Sequence, residues 1–178
     1  QREGAIHVMT IMLSYSAFAL AMILAHFALF TQLFRPQRDD LIRSLALLLY
    51  NTLQVGLLFL AAGIICGAVW ANESWGRYWG WDPKETWSLI TFFIYLAIVH
   101  GRFAGWLEAF GLAASSIIGF LSVIMTYYGV NFILAAGMHS YGFSEGGQLW
   151  MMLFTITELA VIAFAFVRYR GQKASLKE

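Results

Sequence analysis

Five long apolar stretches, separated by short polar connections, constrain what this chain can fold into. They cover roughly residues 6–33, 44–70, 86–100, 108–132 and 149–167. About 20 consecutive apolar residues are enough for a helix to cross the hydrocarbon core of a membrane. The sequence therefore predicts an all-α integral membrane protein, in which residues 1–178 form a single domain built as a bundle of about five transmembrane helices.

The composition agrees with a membrane protein and argues against several functional classes. Hydrophobic residues make up 60% of the chain, charged residues make up 12%, and the mean hydropathy is +0.69. The net charge is +1 and no basic patch is visible, so nothing supports nucleic-acid binding. Cys66 is the only cysteine, which excludes an internal disulfide, a CxxC redox pair and a cysteine metal cage.

The basic residues predict how the bundle is oriented, because Lys and Arg accumulate on the cytoplasmic side of membrane proteins. Eight of the eleven fall on one side of the predicted bundle: Arg35, Arg38, Arg43, Arg102, Arg168, Arg170, Lys173 and Lys177. The other side carries Arg2, Arg77 and Lys84. The C-terminus is therefore predicted to be cytoplasmic. The N-terminus and the connections at about 71–86 and about 133–148 are predicted to share the external face.

The connection at about 71–86 is rich in tryptophan. Five of the seven Trp residues lie between Trp70 and Trp87, and glycines separate Trp75, Trp79 and Trp81. One interpretation is an aromatic belt at the membrane surface, where Trp is enriched. The other is a platform for a flat, hydrophobic ligand with an anionic edge, such as haem, since the indole ring is large and amphipathic. The clustering and the intervening glycines favour the platform.

Asp82 and Glu85 have a structural interpretation beside the functional one. The run Asp82-Pro83-Lys84-Glu85 places an N-cap acceptor, a proline at the first helical position and a carboxylate at the third, which resembles a capping box. One interpretation is that both carboxylates only begin the third helix. The other is that Asp82 belongs to the platform beside Trp81.

Two of the four histidines are predicted to lie beside the tryptophans. His7 is at the external mouth of the first span, and His139 is in the connection at about 133–148. A lone histidine at a membrane surface is usually just a polar residue there. Two imidazoles on opposite faces of one porphyrin are a common axial pair, so the presence of both favours ligation of haem iron.

Three further ionisable residues fall inside the predicted spans. His100 is 17 residues after Pro83, about 25 Å along a helix, which is too far to reach the platform. A buried, hydrogen-bonded role is favoured for His26. Glu158 lies in mid-span, where a carboxylate must be paired, protonated or beside a polar cavity. Separately, the GxxxG pattern of Gly63 and Gly67 predicts close packing of the second helix.

At three places the sequence resembles a known family. The run WGRYWGWDPKETWSLITFFIYLAIVHGR is similar to the tryptophan-rich WWD signature of haem-handling proteins in cytochrome c biogenesis. DPKETWSLIT and GMHSYGF resemble the CcsA/ResC branch (system II) more than the CcmC or CcmF branch. IHVMTIMLSYSAFALA resembles the segment that carries the first external histidine of the CcsA/ResC branch. We expect the chain to correspond to the C-terminal core of a protein of this branch.

The resemblance implies a role for each candidate residue. Two residues would be axial iron ligands of an external haem b, namely His7 and His139. Four would form the external platform: Trp75, Trp79, Trp81 and Asp82. His100 would be an iron ligand at a second haem site within the membrane, opposite a ligand from a partner protein.

The resemblance also implies haem transport, haem presentation and covalent attachment of haem to apocytochrome c on the external side. The chain would be part of a holocytochrome c synthase that forms thioether bonds with the CxxCH motif of its substrate. The implied partners are a CcsB/ResB-like membrane protein, apocytochrome c and membrane lipid, in a bacterial inner membrane or a thylakoid membrane. Two alternatives remain open: a haem-delivery module of CcmC type without synthase activity, and a b-type electron-transfer subunit in which His26 and His100 share a haem.

Overall fold

The structure is a computed structural model, and it describes residues 2–134, 137–139 and 147–175. The described part is helical throughout its long segments and contains no strand. Its helices are α1 (Arg2–Phe34), α2 (Asp39–Trp75), α3 (Pro83–Phe103), α4 (Ala109–Ile124) and α5 (Gly147–Ser175). A π-helical segment, Met125–Leu134, continues α4 without a break and is called the π segment below.

Five helical segments of the described chain are long and apolar enough to cross a membrane. This confirms the predicted all-α membrane bundle. The first two helices are longer than their apolar runs, with 33 and 37 residues. At about 1.5 Å per residue they extend roughly 50 and 55 Å, more than the ~30 Å hydrocarbon core. Their ends therefore project beyond it, because helical hydrogen bonding continues into the charged and Trp-rich segments where hydropathy falls.

The Trp-rich connection is short because helix signals close it from both sides. α2 ends at Trp75, and the next residue, Gly76, adopts the left-handed conformation (φ 71°) common after helix C-termini. α3 begins with the predicted capping box. The Asp82 side chain accepts the Glu85 backbone N–H, the Glu85 side chain accepts the Asp82 backbone N–H, and Pro83 occupies the first turn. Only residues 76–82 remain between the helices, within the predicted 71–86.

α1 and α2 pack closely along a seam of small residues. A Cβ atom at Gly56 would lie 2.7 Å from Phe18, and one at Gly63 would lie 2.6 Å from Ile11. Such distances leave no room for a side chain, so the packing predicted from the GxxxG pattern is confirmed. The core continues to α3, where the ring of Phe18 stacks on that of Tyr95 with centroids 3.7 Å apart.

Successive helices run in opposite directions, which brings distant segments of the chain to one end of the bundle. There Trp70 contacts both His7 and His139, and Arg77 donates to the Met138 sulfur. We call this the aromatic end. At the opposite end, Gln172 of α5 donates to the Leu33 carbonyl. The predicted meeting of the N-terminus, the Trp-rich connection and His139 is thus observed. Residues 135, 136 and 140–146 of the predicted His139 connection, and Lys177 from the charge count, lie outside the described residues.

Candidate functional site

A cavity of about 430 Å³ opens at the aromatic end, between α1, α2, α3 and the π segment. This volume lies within the range of small-molecule and cofactor sites. Its walls include both of the predicted external ligands, His7 and His139, together with Trp70, Trp79 and Lys84. Residues more than 130 positions apart in the sequence therefore share one pocket.

His7 is held by α2. Its Nδ1 lies 2.8 Å from the carbonyl oxygen of Gly63. A carbonyl can only accept a hydrogen bond, so Nδ1 carries the hydrogen and Nε2 keeps its lone pair. The ring lies parallel to Trp70, with an interplanar angle of 8° and centroids 6.3 Å apart. A Cβ atom at Gly67 would lie 2.6 Å from His7 Cε1, so this glycine leaves the space that the imidazole fills.

His139 is held by the start of α3. Its Nδ1 lies 2.5 Å from Asp82 Oδ2, and both side chains are largely buried. Burial by itself raises the pKa of Asp82, but hydrogen bonds from the Glu85 backbone and from His139 hold that pKa below its usual value. Asp82 is therefore an ionised acceptor at neutral pH, and His139 also carries its hydrogen on Nδ1. Its Nε2 is the ring nitrogen that this hydrogen bond leaves unused, and in the neutral imidazole it has the lone pair.

The two histidines thus share an arrangement that is typical of iron- and zinc-ligating imidazoles. Metal-ligating histidines usually donate their other ring N–H to a carbonyl or a carboxylate, which fixes the tautomer and the ring orientation. Here one partner is a carbonyl and the other is a carboxylate. Each imidazole is therefore prepared to coordinate a metal through Nε2.

The three tryptophans predicted for the platform have different positions: Trp75 contacts His139, Trp79 lines the cavity, and Trp81 does neither. Trp75 meets Trp70 and His139 edge-on, with centroids 4.8 and 5.0 Å apart. Trp79 lines the cavity, and its buried Nε1 has no hydrogen-bond partner within the described chain. Trp81 is different: its side chain is 69% exposed and meets Trp79 only at its edge. Its φ of 56° is a strained value for a bulky residue, a feature that concentrates at functional sites.

The inner wall of the cavity was not predicted from the sequence. It is formed by Tyr15 of α1 and by Tyr127 and Asn131 of the π segment. The Asn131 amide donates to the Tyr127 carbonyl, which leaves its Oδ1 buried and without a partner among the described residues. π-helical turns frequently occur at functional sites. Because the π segment continues the apolar run of α4 without a break, hydropathy gives no signal for this wall.

Trp70 is a second contribution that the candidate list omitted. It touches both histidines, with centroids 6.3 Å from His7 and 6.4 Å from His139. A usable signal was its position three residues after Gly67, which places both residues on one face of α2.

Asp82, Glu85 and His139 also have the ligand types of a small-cation site, with their ligand atoms within 4.8 Å of one another. All four carboxylate oxygens are already engaged, however. Asp82 accepts from Glu85 N and His139, while Glu85 accepts from Gly80 N and lies 3.6 Å from an Arg77 nitrogen. The cluster is therefore a hydrogen-bonded network that shapes the connection, as the capping-box interpretation predicted.

The remaining predicted residues lie away from this cavity. His100 is exposed near the end of α3, and its Nδ1 bonds the Leu96 carbonyl at 2.8 Å, which leaves Nε2 with a lone pair. His26 has both ring nitrogens engaged, Nδ1 with the Met22 carbonyl and Nε2 with Glu158, each at 2.9 Å. His26 is thus hydrogen-bonded, as expected, and of the three possibilities given for Glu158 the contact between α1 and α5 shows pairing.

Comparison with known proteins covers the residues of this site. The sequence matches the family described as cytochrome c assembly protein over residues 1–139, a range that contains every candidate site residue. It is 51% identical over 111 residues to the cytochrome c biogenesis protein CcsA of Gloeobacter violaceus, covering 62% of this chain and 32% of that protein. The identity to CcsA of Chlamydomonas reinhardtii is 41% over 144 residues, covering 77% and 40%.

CcsA of Pyropia yezoensis is 48% identical over 110 residues, covering 62% of this chain and 34% of that protein. The chain thus spans about a third to two-fifths of the length of these relatives. The family match, by contrast, extends over well more than half of the chain. The chain therefore belongs to the cytochrome c assembly protein family.

Proposed function

We propose that this chain acts in cytochrome c biogenesis by binding haem b in the cavity at the aromatic end. The iron would be held between His7 and His139 through their Nε2 atoms. The observation that carries the proposal is that Nδ1 of each imidazole is hydrogen-bonded to the protein, which leaves Nε2 of each for the iron. Each donates its Nδ1 hydrogen to a fixed acceptor, and both line one cavity. Bis-histidine ligation is a common way to hold haem iron.

The rest of the cavity suits a flat aromatic ligand with polar edge groups. Trp70 and Trp79 line the cavity with large aromatic surfaces, and stacking on such surfaces stabilises a planar ligand. The partnerless Trp79 Nε1 is a donor and the partnerless Asn131 Oδ1 is an acceptor, so both can bond to a ligand or to water in the cavity. Haem is flat and aromatic and its propionates can accept from Trp79 Nε1, whereas Asn131 Oδ1 can accept from a water molecule.

The activity that we propose is presentation of this haem to apocytochrome c, as part of a holocytochrome c synthase. In that reaction each of two thiols of the substrate CxxCH motif adds across a haem vinyl group. A C–S bond forms, the thiol hydrogen goes to the neighbouring vinyl carbon, and no group leaves. The chain contributes positioning, because axial ligation and stacking hold the vinyl groups in a fixed place for the incoming thiols. We assign no acid–base catalyst.

His100 extends the proposal to a second haem site inside the membrane. Its imidazole is exposed on α3, distant from the cavity, and Nε2 is the nitrogen left with a lone pair. An exposed ligand of this kind suits a haem shared with another protein. We propose a CcsB/ResB-like membrane partner as the source of the opposite ligand.

The hydrogen bonds of His26 weigh against a b-type electron-transfer subunit. That function requires His26 and His100 to share a haem, yet both nitrogens of His26 are engaged in hydrogen bonds.

For the orientation in a bacterial inner or thylakoid membrane, we propose that the aromatic end is external and the C-terminus cytoplasmic. The support is the distribution of Lys and Arg along the sequence.

The test is the absorption spectrum of the protein purified from membranes that supply haem. Wild type is expected to show six-coordinate, low-spin haem. His7→Ala and His139→Ala are each expected to lose this spectrum and to regain it when free imidazole fills the vacant position. His26→Gln is a matched control, because glutamine can still donate to Glu158 while no proposed ligand changes. Retention of the wild-type spectrum by both alanine variants overturns the axial assignment.

A second assay separates attachment from delivery. The protein is combined with its membrane partner and an apocytochrome that carries a CxxCH motif, and covalently bound haem is measured. Covalent product supports the synthase. Transfer of haem to the apocytochrome without thioether formation identifies a delivery module of CcmC type instead.

A further inference from the structure

The Asp82 carboxylate has two oxygens with two different partners. Oδ1 accepts the backbone N–H of Glu85 at 2.9 Å and caps α3. Oδ2 accepts the Nδ1 hydrogen of His139 at 2.5 Å. The residue is 7% exposed, so water competes little for either oxygen. One side chain thus connects the start of α3 to the connection that follows the π segment.

This link is fixed by backbone packing as well as by the hydrogen bond. Gly137 adopts a φ of 95°, and a Cβ atom there would lie 2.9 Å from Pro83 Cδ and 3.2 Å from Asp82 Cβ. The backbone two residues before His139 therefore lies directly on the Asp82–Pro83 peptide. A larger residue at position 137 would push the histidine away from its carboxylate.

The two histidines differ in the charge of their acceptors. His7 donates to the neutral carbonyl of Gly63, whereas His139 donates to an ionised carboxylate. Hydrogen bonds to charged acceptors are shorter and roughly twice as strong as those to neutral ones. A carboxylate acceptor also raises the basicity of the imidazole as a metal ligand. The two histidines are thus unequal electron donors to a bound metal: His139 is the stronger donor and His7 is the weaker.

We propose that Asp82 is a positioning residue that fixes His139 in its Nδ1–H tautomer and makes it the stronger of the two iron ligands. The inference rests on the proposed axial pair. It goes further by assigning to Asp82 a role in ligand strength, beyond that of a helix cap or a wall of the platform.

Two substitutions separate the cap from the ligand support. Asp82→Ser keeps the cap, because serine is a strong N-cap residue, but its single oxygen leaves His139 without an acceptor. Asp82→Asn also keeps the cap when its oxygen faces Glu85 N. Its NH₂ group then faces His139, which must turn to the Nε2–H tautomer and lose its lone pair toward the iron. Asparagine is therefore expected to be the more harmful substitution.

The experiment measures haem content, spin state and midpoint potential of the purified protein, with helix content recorded alongside. Asp82→Ser is expected to raise the midpoint potential, since a weaker donor stabilises ferric iron less. Asp82→Asn is expected to lower haem affinity by about 10- to 100-fold and to give high-spin haem. Free imidazole should restore the low-spin state. Glu108→Ser is the matched control, an acidic N-cap position on α4 with no side-chain cap bond, and it should leave all three readouts unchanged.

A second background shows whether Asp82 acts through His139. In His139→Ala protein filled with 1-methylimidazole, which coordinates iron but has no N–H to donate, Asp82→Ser is expected to change neither the spectrum nor the potential. An equal loss of haem in this background would overturn the inference, because Asp82 would then act through the fold of α3. Wild-type potential and spectrum in both Asp82 variants would also overturn it, and would leave the axial pair intact. Absence of bis-histidine haem in wild type would instead refute the proposed function.

Discussion

Replacement of Gly67 by alanine tests whether the packing of α1 against α2 seats the proposed iron ligand. The added Cβ would lie 2.6 Å from His7 Cε1 and 2.7 Å from its Nδ1. Reaching a 3.0 Å contact requires the ring to move by about 0.4 Å, and an ordinary 3.4 Å contact requires about 0.8 Å. The same movement disturbs the 2.8 Å hydrogen bond from Nδ1 to the Gly63 carbonyl.

The expected magnitude follows from two opposing terms. Overpacking a tight interface by one methyl group costs about 1–3 kcal/mol. Alanine regains about 0.5–1 kcal/mol of helix stability relative to glycine. The fold is therefore expected to survive, while the strain is concentrated on His7. If most of the overpacking cost appears in ligand binding, haem affinity falls by about 5- to 150-fold.

Haem affinity and spin state of Gly67→Ala are compared with those of two control variants. Gly56→Ala overpacks the same seam, 2.7 Å from Phe18, but lies three helical turns from the ligand. Gly171→Ala meets no atom within 4 Å. Only Gly67→Ala should lose low-spin haem and regain it with imidazole. An equal loss of low-spin haem in Gly56→Ala would show that packing along the whole α1–α2 seam matters. Undiminished haem binding in Gly67→Ala would refute the idea that Gly67 positions the His7 ring.

Three further outcomes are expected. His26→Leu and Glu158→Leu should each destabilise the bundle, by up to about 3–5 kcal/mol where an unpaired charge remains; the double variant should unfold later than either single variant in thermal scans. Trp79→Ala should reduce haem affinity by about 2- to 10-fold through lost stacking, whereas Trp106→Ala, which removes a side chain that is 83% exposed, should leave the haem-to-protein ratio unchanged. His100→Ala should reduce total haem without changing helix content or the spectrum of the remaining haem, because the residue is exposed and distant from the cavity; an unchanged total would remove His100 from the haem path.

The outline of the bundle followed from the sequence because its causes are local. Apolar runs of sufficient length predict the spans, and the alternation of helix direction brings His7 and His139 to one end. The start of α3 was predictable to the residue, since the Asp82–Glu85 capping box depends only on neighbours in the sequence.

The finer geometry depends on contacts between distant segments, and no local pattern encodes them. The acceptors of the two histidines come from other elements, the Gly63 carbonyl of α2 and the Asp82 carboxylate of α3. The sequence left open whether Glu158 is paired, protonated or beside a polar cavity, because its partner His26 is 132 positions away. The exposure of Trp81 follows from its left-handed backbone, a conformation that bulky residues rarely adopt.

The close seam between α1 and α2 also has a consequence for biosynthesis. The described contacts that seat His7 come from α1 and α2, so this side of the cavity needs no residue of α3 or of the π segment. His139 depends on Asp82 and on chain beyond the π segment. At about 5–20 residues per second, a ribosome supplies that part several seconds later. The nascent protein thus passes through an interval in which one imidazole is in place and the other is not yet synthesised.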